Sequence, residues 1–129
     1  LIGQKMSKKL PGDIAKIIKR WLEESNSADE FASIFTEDAV YQFGNTEPTI
    51  GRSGIRDSSV LFRQKVKAVS HNIKSIWETG DTAICEMDVT YTRHDGKVFT
   101  LPCTDVIRME GDLIRQLNIY MDITPVFAP

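Results

Sequence analysis

The chain has 129 residues, a net charge of −2 and charges of both signs dispersed along it. That length suits one domain with a real core, and the lack of a basic stripe argues against a nucleic-acid partner. No apolar run approaches the roughly 18 residues of a membrane span and no signal-peptide pattern opens the chain, so a soluble, cytoplasmic protein without a membrane partner is expected.

Residues 1–11 are expected to be a disordered or added lead, with Met6 the natural start and Leu1–Lys5 upstream of it, and residues 12–129 a single domain. Ile14, Ile17, Ile18, Trp21 and Leu22 recur at helical spacing, with Lys16, Lys19, Arg20, Glu23 and Glu24 on the other face. This predicts an amphipathic helix from about Gly12 to Ser25. Ser27-Ala28-Asp29-Glu30 fits a capping box and opens a short second helix, striped by Phe31, Ile34 and Phe35 and ending near Thr36. Ala39–Phe43 reads as a short strand with Ala39, Tyr41 and Phe43 on one side, and Gly44 to Gly51, with Pro48, as a loop. A third helix is expected from about Ser53 to Ala68, presenting Ile55, Phe62 and Val66.

Four long strands then follow as a meander, Val69–Thr79, Thr82–Thr92, Val98–Met109 and Leu113–Ile123, separated by Gly80-Asp81, Asp95-Gly96 and Gly111-Asp112. Three helices first and an antiparallel sheet after them is an α+β pattern. Helices on one side of a strongly curved sheet would form a cone, a shape that can hold a small molecule.

The two middle strands carry the main functional clue. Asp-Gly between alternating segments is a strong hairpin signal. If Asp95 and Gly96 are the two loop residues, Thr92 meets Phe99, Thr90 meets Leu101, Asp88 meets Cys103 and Glu86 meets Asp105. Side chains alternate across a strand, so Glu86, Asp88 and Asp105 would share an inner face with Phe99, Leu101, Cys103, Ile107 and Met109. Acids on a mostly apolar face are costly unless the face lines a pocket or the acids find partners. The other register leaves Cys85, Met87, Val89 and Tyr91 inside and Glu86 and Asp88 solvated. In the first register Cys85 and Cys103 lie on opposite faces, as reduced thiols. The outer face then holds Met87, Val89, Tyr91, Val106, Leu117, Ile119 and Met121, an apolar set that predicts a homodimer through the outer sheet face.

The order helix, helix, strand, helix and meander resembles the NTF2-like superfamily of cystatin-like α+β barrels, in its SnoaL-like branch. Phe35-Thr36-Glu37-Asp38-Ala39-Val40-Tyr41, Gly51-Arg52-Ser53-Gly54-Ile55, Asp105-Val106-Ile107-Arg108-Met109 and Ile119-Tyr120-Met121-Asp122-Ile123-Thr124-Pro125 carry the likeness, over roughly Ile14 to Phe127. It implies the cone, a small apolar metabolite as ligand and no cofactor. It does not fix the chemistry, since this scaffold hosts isomerases, cyclases, hydrolases and non-catalytic binders.

In ketosteroid isomerases a carboxylate base works with a Tyr and a protonated Asp. Asp105 matches the protonated Asp, but the base position falls on Gln42 or Phe43 and the Tyr position near Trp21. In limonene-type epoxide hydrolases Tyr41 and Asp88 match, while Phe43, Glu86 and Asn118 replace the Asn, the Arg and the water-activating Asp. SnoaL-type cyclases imply Asp105 with His71 and Asn118.

Asp105 is therefore the general acid/base candidate, with Glu86 and Asp88 as coupled acids setting its ionisation; its structural alternative is an acid bonded to a loop N–H or to Trp21. Tyr41, Asn118 and Tyr120 would orient substrate on the inner face beside Gln116. His71 is either a rim proton shuttle or a structural histidine. Trp21, Phe43 and Phe62, with Phe31 and Phe35, would be core and pocket wall. Arg52 would cap or pair near the third helix. Two dispersed histidines and three acids give no metal-ligand spacing. A non-catalytic binding or dimerisation module is the other function consistent with these residues.

Overall fold

The computed structural model describes residues 12–129; the expected lead at 1–11 lies outside the described residues. Helix α1 (Asp13–Glu24) turns Ile14, Ile18 and Trp21 into the core, the stripe its period dictates. Helix α2 (Ala28–Ser33) starts at Ser27, whose Oγ accepts the Glu30 amide at 3.1 Å. It ends sooner than expected, and the chain is already extended at Phe35. Strand β1 (Phe35–Phe43), the short β2 (Thr49–Ile50) and helix α3 (Arg52–Lys65) follow. The meander is β3 (Ala68–Thr79), β4 (Thr82–Thr92), β5 (Val98–Glu110) and β6 (Leu113–Tyr120). Where the last strand was expected to run on to Ile123, a short helix α4 (Thr124–Phe127) forms instead. Pro125 sits in its first turn, where a missing N–H costs nothing.

The sheet order is β2-β1-β6-β5-β4-β3. β1 lies parallel to β6 and every other neighbour pair is antiparallel, so the expected antiparallel meander gains a parallel edge. The β1–β6 register jumps between Phe35 and Val40. Arg52, at the start of α3, takes up the Phe35 carbonyl there with Nε and Nη2 at 2.8 and 2.6 Å. It thus ties α3 to the irregular start of β1.

The hairpin register differs from the expected one. Arg93 N–H donates to the Lys97 carbonyl at 2.8 Å, so the loop holds three residues, His94, Asp95 and Gly96. Gly96 has φ +89°, the left-handed conformation that closes a three-residue hairpin loop. The extra loop residue shifts every pair by one: Thr92 faces Val98, Glu86 faces Thr104, and Cys85 faces Asp105. A one-residue slip turns all side chains of a strand over. The inner face of β4 is accordingly Ala83, Cys85, Met87, Val89 and Tyr91, all buried, and Glu86 and Asp88 stand on the outer face. Cys85 and Cys103 share the inner face, both buried and free, contrary to the opposite-face expectation.

Strand β6 is reversed in the same way. A bulge opposite Arg108 and Met109 resets its alternation. Leu117 pairs with Ile107 and Ile119 with Asp105, which puts Gln116, Asn118 and Tyr120 outside. The expected outer apolar set is thus mostly inner: Met87, Val89, Tyr91 and Leu117 are buried, and Ile119 and Met121 pack against the core. Val106 alone of that set stays outside, next to Ile84.

A Cβ at Gly96 would meet nothing within 4 Å, so the cost of a substitution there lies in the backbone. Gly96→Val is expected to lower unfolding stability by about 1–2 kcal/mol, read from urea denaturation. An unchanged midpoint would show that the register does not need this conformation.

Candidate functional site

A cavity of about 610 Å³ lies between the three long-range layers of the fold: α1 and α2, α3, and the inner sheet face. Aromatic side chains build its walls. Trp21 stacks on Phe31 with ring centroids 5.0 Å apart, Phe31 meets Tyr41 edge-on at 6.3 Å, and Phe62 meets Tyr91 edge-on at 6.0 Å. Edge-to-face pairs of this spacing are favourable and stiff. Phe43, Ile119 and Asp105, neighbours in one cross-strand row that continues through Cys85 and Ile76, form part of the floor.

Asp105 lines this cavity and is 4% exposed. Its bonded neighbour is Cys103, whose thiol donates to Oδ1 at 3.3 Å. Burial pushes the carboxyl up to about 7, against the smaller opposing effect of the thiol hydrogen bond. A carboxylate held by two or three backbone N–H groups would be driven the other way; a thiol is a weak donor and leaves desolvation in control.

The other titrating groups around the floor are all held uncharged. Burial, and then the nearby Asp105, raises the Cys85 thiol to about 12. The same two causes raise Cys103. Tyr41 is raised by burial and by the charges of Asp105 and Cys103, and Tyr91 mainly by burial. Both remain phenols at neutral pH. Tyr91 donates its hydroxyl hydrogen to the Met121 sulfur at 3.3 Å. His71 faces the cavity from β3; burial lowers its pKa, partly offset by a hydrogen bond to the Leu22 main chain. Below an ordinary value of 6.5 this imidazole is neutral at pH 7. The arrangement offers one carboxyl able to hold or release a proton near neutrality, beside neutral donors, in an apolar chamber.

Of the residues expected at the site, Asp105, Tyr41, Phe43, Trp21, Phe62 and His71 all line the cavity. Trp21 spends its indole N–H on the Phe31 carbonyl at 3.2 Å, so it does not serve Asp105. Four expected residues are elsewhere. Glu86 is exposed on the outer face, and Asp88, also outside, pairs with Lys74 at 3.3 Å. Asn118 donates to Gln42 and accepts from Gln116 on the same outer face. Tyr120 is 56% exposed there. The coupled-acid arrangement of Glu86, Asp88 and Asp105 therefore does not form. Tyr91 was missed as a cavity residue because the two-residue loop turned its strand over. Reading Arg93 to Lys97 as a three-residue loop, with Gly96 in the left-handed position, would have found it.

Among the described residues no group of His, Cys, Asp and Glu is placed to hold a metal ion, and no helix is long and apolar enough to cross a membrane.

Solved structures share this architecture. A protein assigned as a SnoaL-like polyketide cyclase from Jannaschia sp. CCS1 superposes with a TM-score of 0.80 at 11% identity, over 92% of this chain and 93% of its own. A protein of ketosteroid isomerase-like fold from Catenulispora acidiphila DSM 44928, in complex with trimethylamine, gives 0.75 at 17% identity, over 89% and 88%. SalBIII, an epoxide hydrolase/cyclase-like enzyme of pyran ring formation in the polyether salinomycin, gives 0.75 at 14% identity, over 86% and 92%. At these identities the likeness is one of fold. No curated protein sequence matches the chain. The SnoaL-like domain family matches residues 18–117, most of α1 through β6, and the chain belongs to that family.

Proposed function

We propose that this protein is a cofactor-independent acid–base enzyme of isomerase, cyclase or hydrolase type, acting on a small apolar metabolite inside the cone. Asp105 is the proton donor and acceptor, and Tyr41, which also lines the cavity, orients a carbonyl or hydroxyl of the substrate. The observation that carries this is the single floor carboxyl, 4% exposed and pushed up to about 7. A catalytic group works best when its pKa lies near the working pH. Cyclase and epoxide hydrolase/cyclase-like proteins among the relatives support the same class of chemistry. Glu86 and Asp88, on the far face of the sheet, have no part in it.

A second reading, a non-catalytic binding module, is favoured by the resemblance to ketosteroid isomerases: the position of their base falls on Gln42 or Phe43, neither of which is a base. The two readings part on whether Asp105 titrates near neutrality and whether turnover depends on it.

A second copy of the chain is the proposed partner, meeting the first through the outer sheet face. Support comes from Trp77, Ile84 and Tyr120 on that face, which are 55%, 37% and 56% exposed, with Ile84 beside Trp77 and Val106 in one cross-strand row. A cytoplasmic location is proposed with it. Sedimentation at micromolar concentration should give a dimer that Trp77→Lys converts to monomer; a wild-type monomer would remove this partner.

Two further outcomes test Asp105. Its folded state binds the proton more tightly than the unfolded chain, so stability falls as pH rises from about 4 to about 7 and is level above. Asp105→Asn has no proton to lose. Its stability should converge with wild type near pH 4 and exceed it by up to about 4 kcal/mol at pH 8. A gap independent of pH would mean the carboxyl ionises as freely folded as unfolded. By carbon-13 NMR, the Asp105 carboxyl should titrate near 7, and any metabolite the protein converts should turn over roughly 10²-fold more slowly with Asp105→Asn but normally with Glu86→Gln or Asp88→Asn. Titration near 4, or full turnover by the Asn variant, would leave only the binding module.

A further inference from the structure

The cavity has a second chemical feature, among the solvent-exposed residues of its lining and not at the buried Asp105. Residues that both line it and are solvent-exposed mark its mouth, and they include Arg63, Lys65, Lys67 and Glu47. Three exposed cations thus line the cavity within five residues of chain, at the end of α3 and just past it, against a single exposed carboxylate, in a chain whose net charge is −2. Ion pairs elsewhere among the described residues are made by Arg20, Arg56, Lys74 and Arg93; none of the three mouth cations is in one. Cations in the last turn of a helix complement its dipole, and that accounts for Arg63 and Lys65. It does not account for Lys67, which follows the α3 C-cap Val66 and also lines the cavity. Like charges gathered around a low-dielectric cleft raise the local concentration of counter-ions. The rest of the lining is mainly aromatic and aliphatic, with Ser58, Ser59 and the neutral His71 among it.

We propose that the cone takes an amphipathic anion: an apolar ring compound whose body fills the aromatic chamber and whose one anionic substituent stays at the mouth on Arg63, Lys65 and Lys67. This rests on the reading of the cone as a ligand site and narrows its substrate class. The apolar body reaches Asp105 while the anionic group remains hydrated and paired at the rim, so no second charge is buried. The mouth cations orient the molecule, fixing which of its ends meets the floor.

Two fluorescent probes that differ by one sulfonate test this, 8-anilino-1-naphthalenesulfonate and N-phenyl-1-naphthylamine. The wild-type protein should bind both, each displacing the other, with the sulfonate tighter. The triple variant Arg63→Gln, Lys65→Gln, Lys67→Gln should bind the sulfonate about tenfold more weakly, the sum of three exposed pairs, and the neutral probe as before. Raising salt from 0.05 to 0.5 M should reproduce the loss on wild type and leave the variant unmoved. Equal affinity for the two probes, or a triple variant that holds the sulfonate as well as wild type, overturns the anion assignment and leaves the cone as a ligand site. If neither probe binds, or they do not compete, the cone reading and this inference fall together.

Discussion

The molecule depends on the length of one turn. With three residues between Arg93 and Lys97, Gly96 takes the left-handed conformation and β4 presents Cys85, Met87, Val89 and Tyr91 to the helices. With two, the same strand would have pushed Glu86 and Asp88 into the chamber. Register in a half-buried sheet is a binary choice, and burial decides it here. Five apolar side chains enter the core on one side of β4, where two carboxylates would otherwise have needed partners that the inner face does not supply.

That choice also sets the electrostatics of the floor. One buried carboxyl can escape the cost of desolvation by keeping its proton, which is what a pKa near 7 expresses. Three facing acids would have repelled one another and titrated as a coupled set. Asp105 sits instead between Cys85 across the strand and Cys103 two residues away, a pair of thiols that burial and the acid itself keep protonated. The Cys103 hydrogen bond holds the carboxyl in place without pinning its charge. Positional order and ionisation freedom are thereby obtained together.

Much of this was legible beforehand, and the reasons for the exceptions are physical. Helical stripes such as Ile14, Ile18 and Trp21 identify themselves because a 3.6-residue period over three turns has no rival. The capping box at Ser27 and the inner face of β5 were equally plain. The walls followed from them: Tyr41, Phe43, Trp21 and Phe62 all reach the cavity. What failed was phase. An Asp-Gly pair fits a two-residue loop and a three-residue loop alike, and β4 alternates two plausible faces, so the strand alone did not choose. On β6 the phase is reset by a bulge that no residue of Leu113–Tyr120 announces, which carried Asn118 and Tyr120 to the wrong side. The parallel pairing of β1 with β6, a long-range contact, leaves no local mark at all.

The corrected floor changes what kind of chemistry the proposal needs. The isomerase template places a separate base opposite its two donors, and here the base position falls on Gln42 or Phe43, the indole N–H of Trp21 is committed to the Phe31 carbonyl, and Asp105 alone matches a donor. On the proposed reading Asp105 would serve both half-reactions, accepting a proton from one atom of the substrate and returning it to another. A group near pKa 7 is suited to that, because neither its acid nor its base form is far uphill at neutral pH. The phenol of Tyr41 stays protonated near it and on that reading would supply a neutral hydrogen bond to developing charge. With one proton carrier, selectivity passes to whatever fixes the substrate's orientation over Asp105. In the proposed reading that task falls to the aromatic walls and to the cations among the exposed lining.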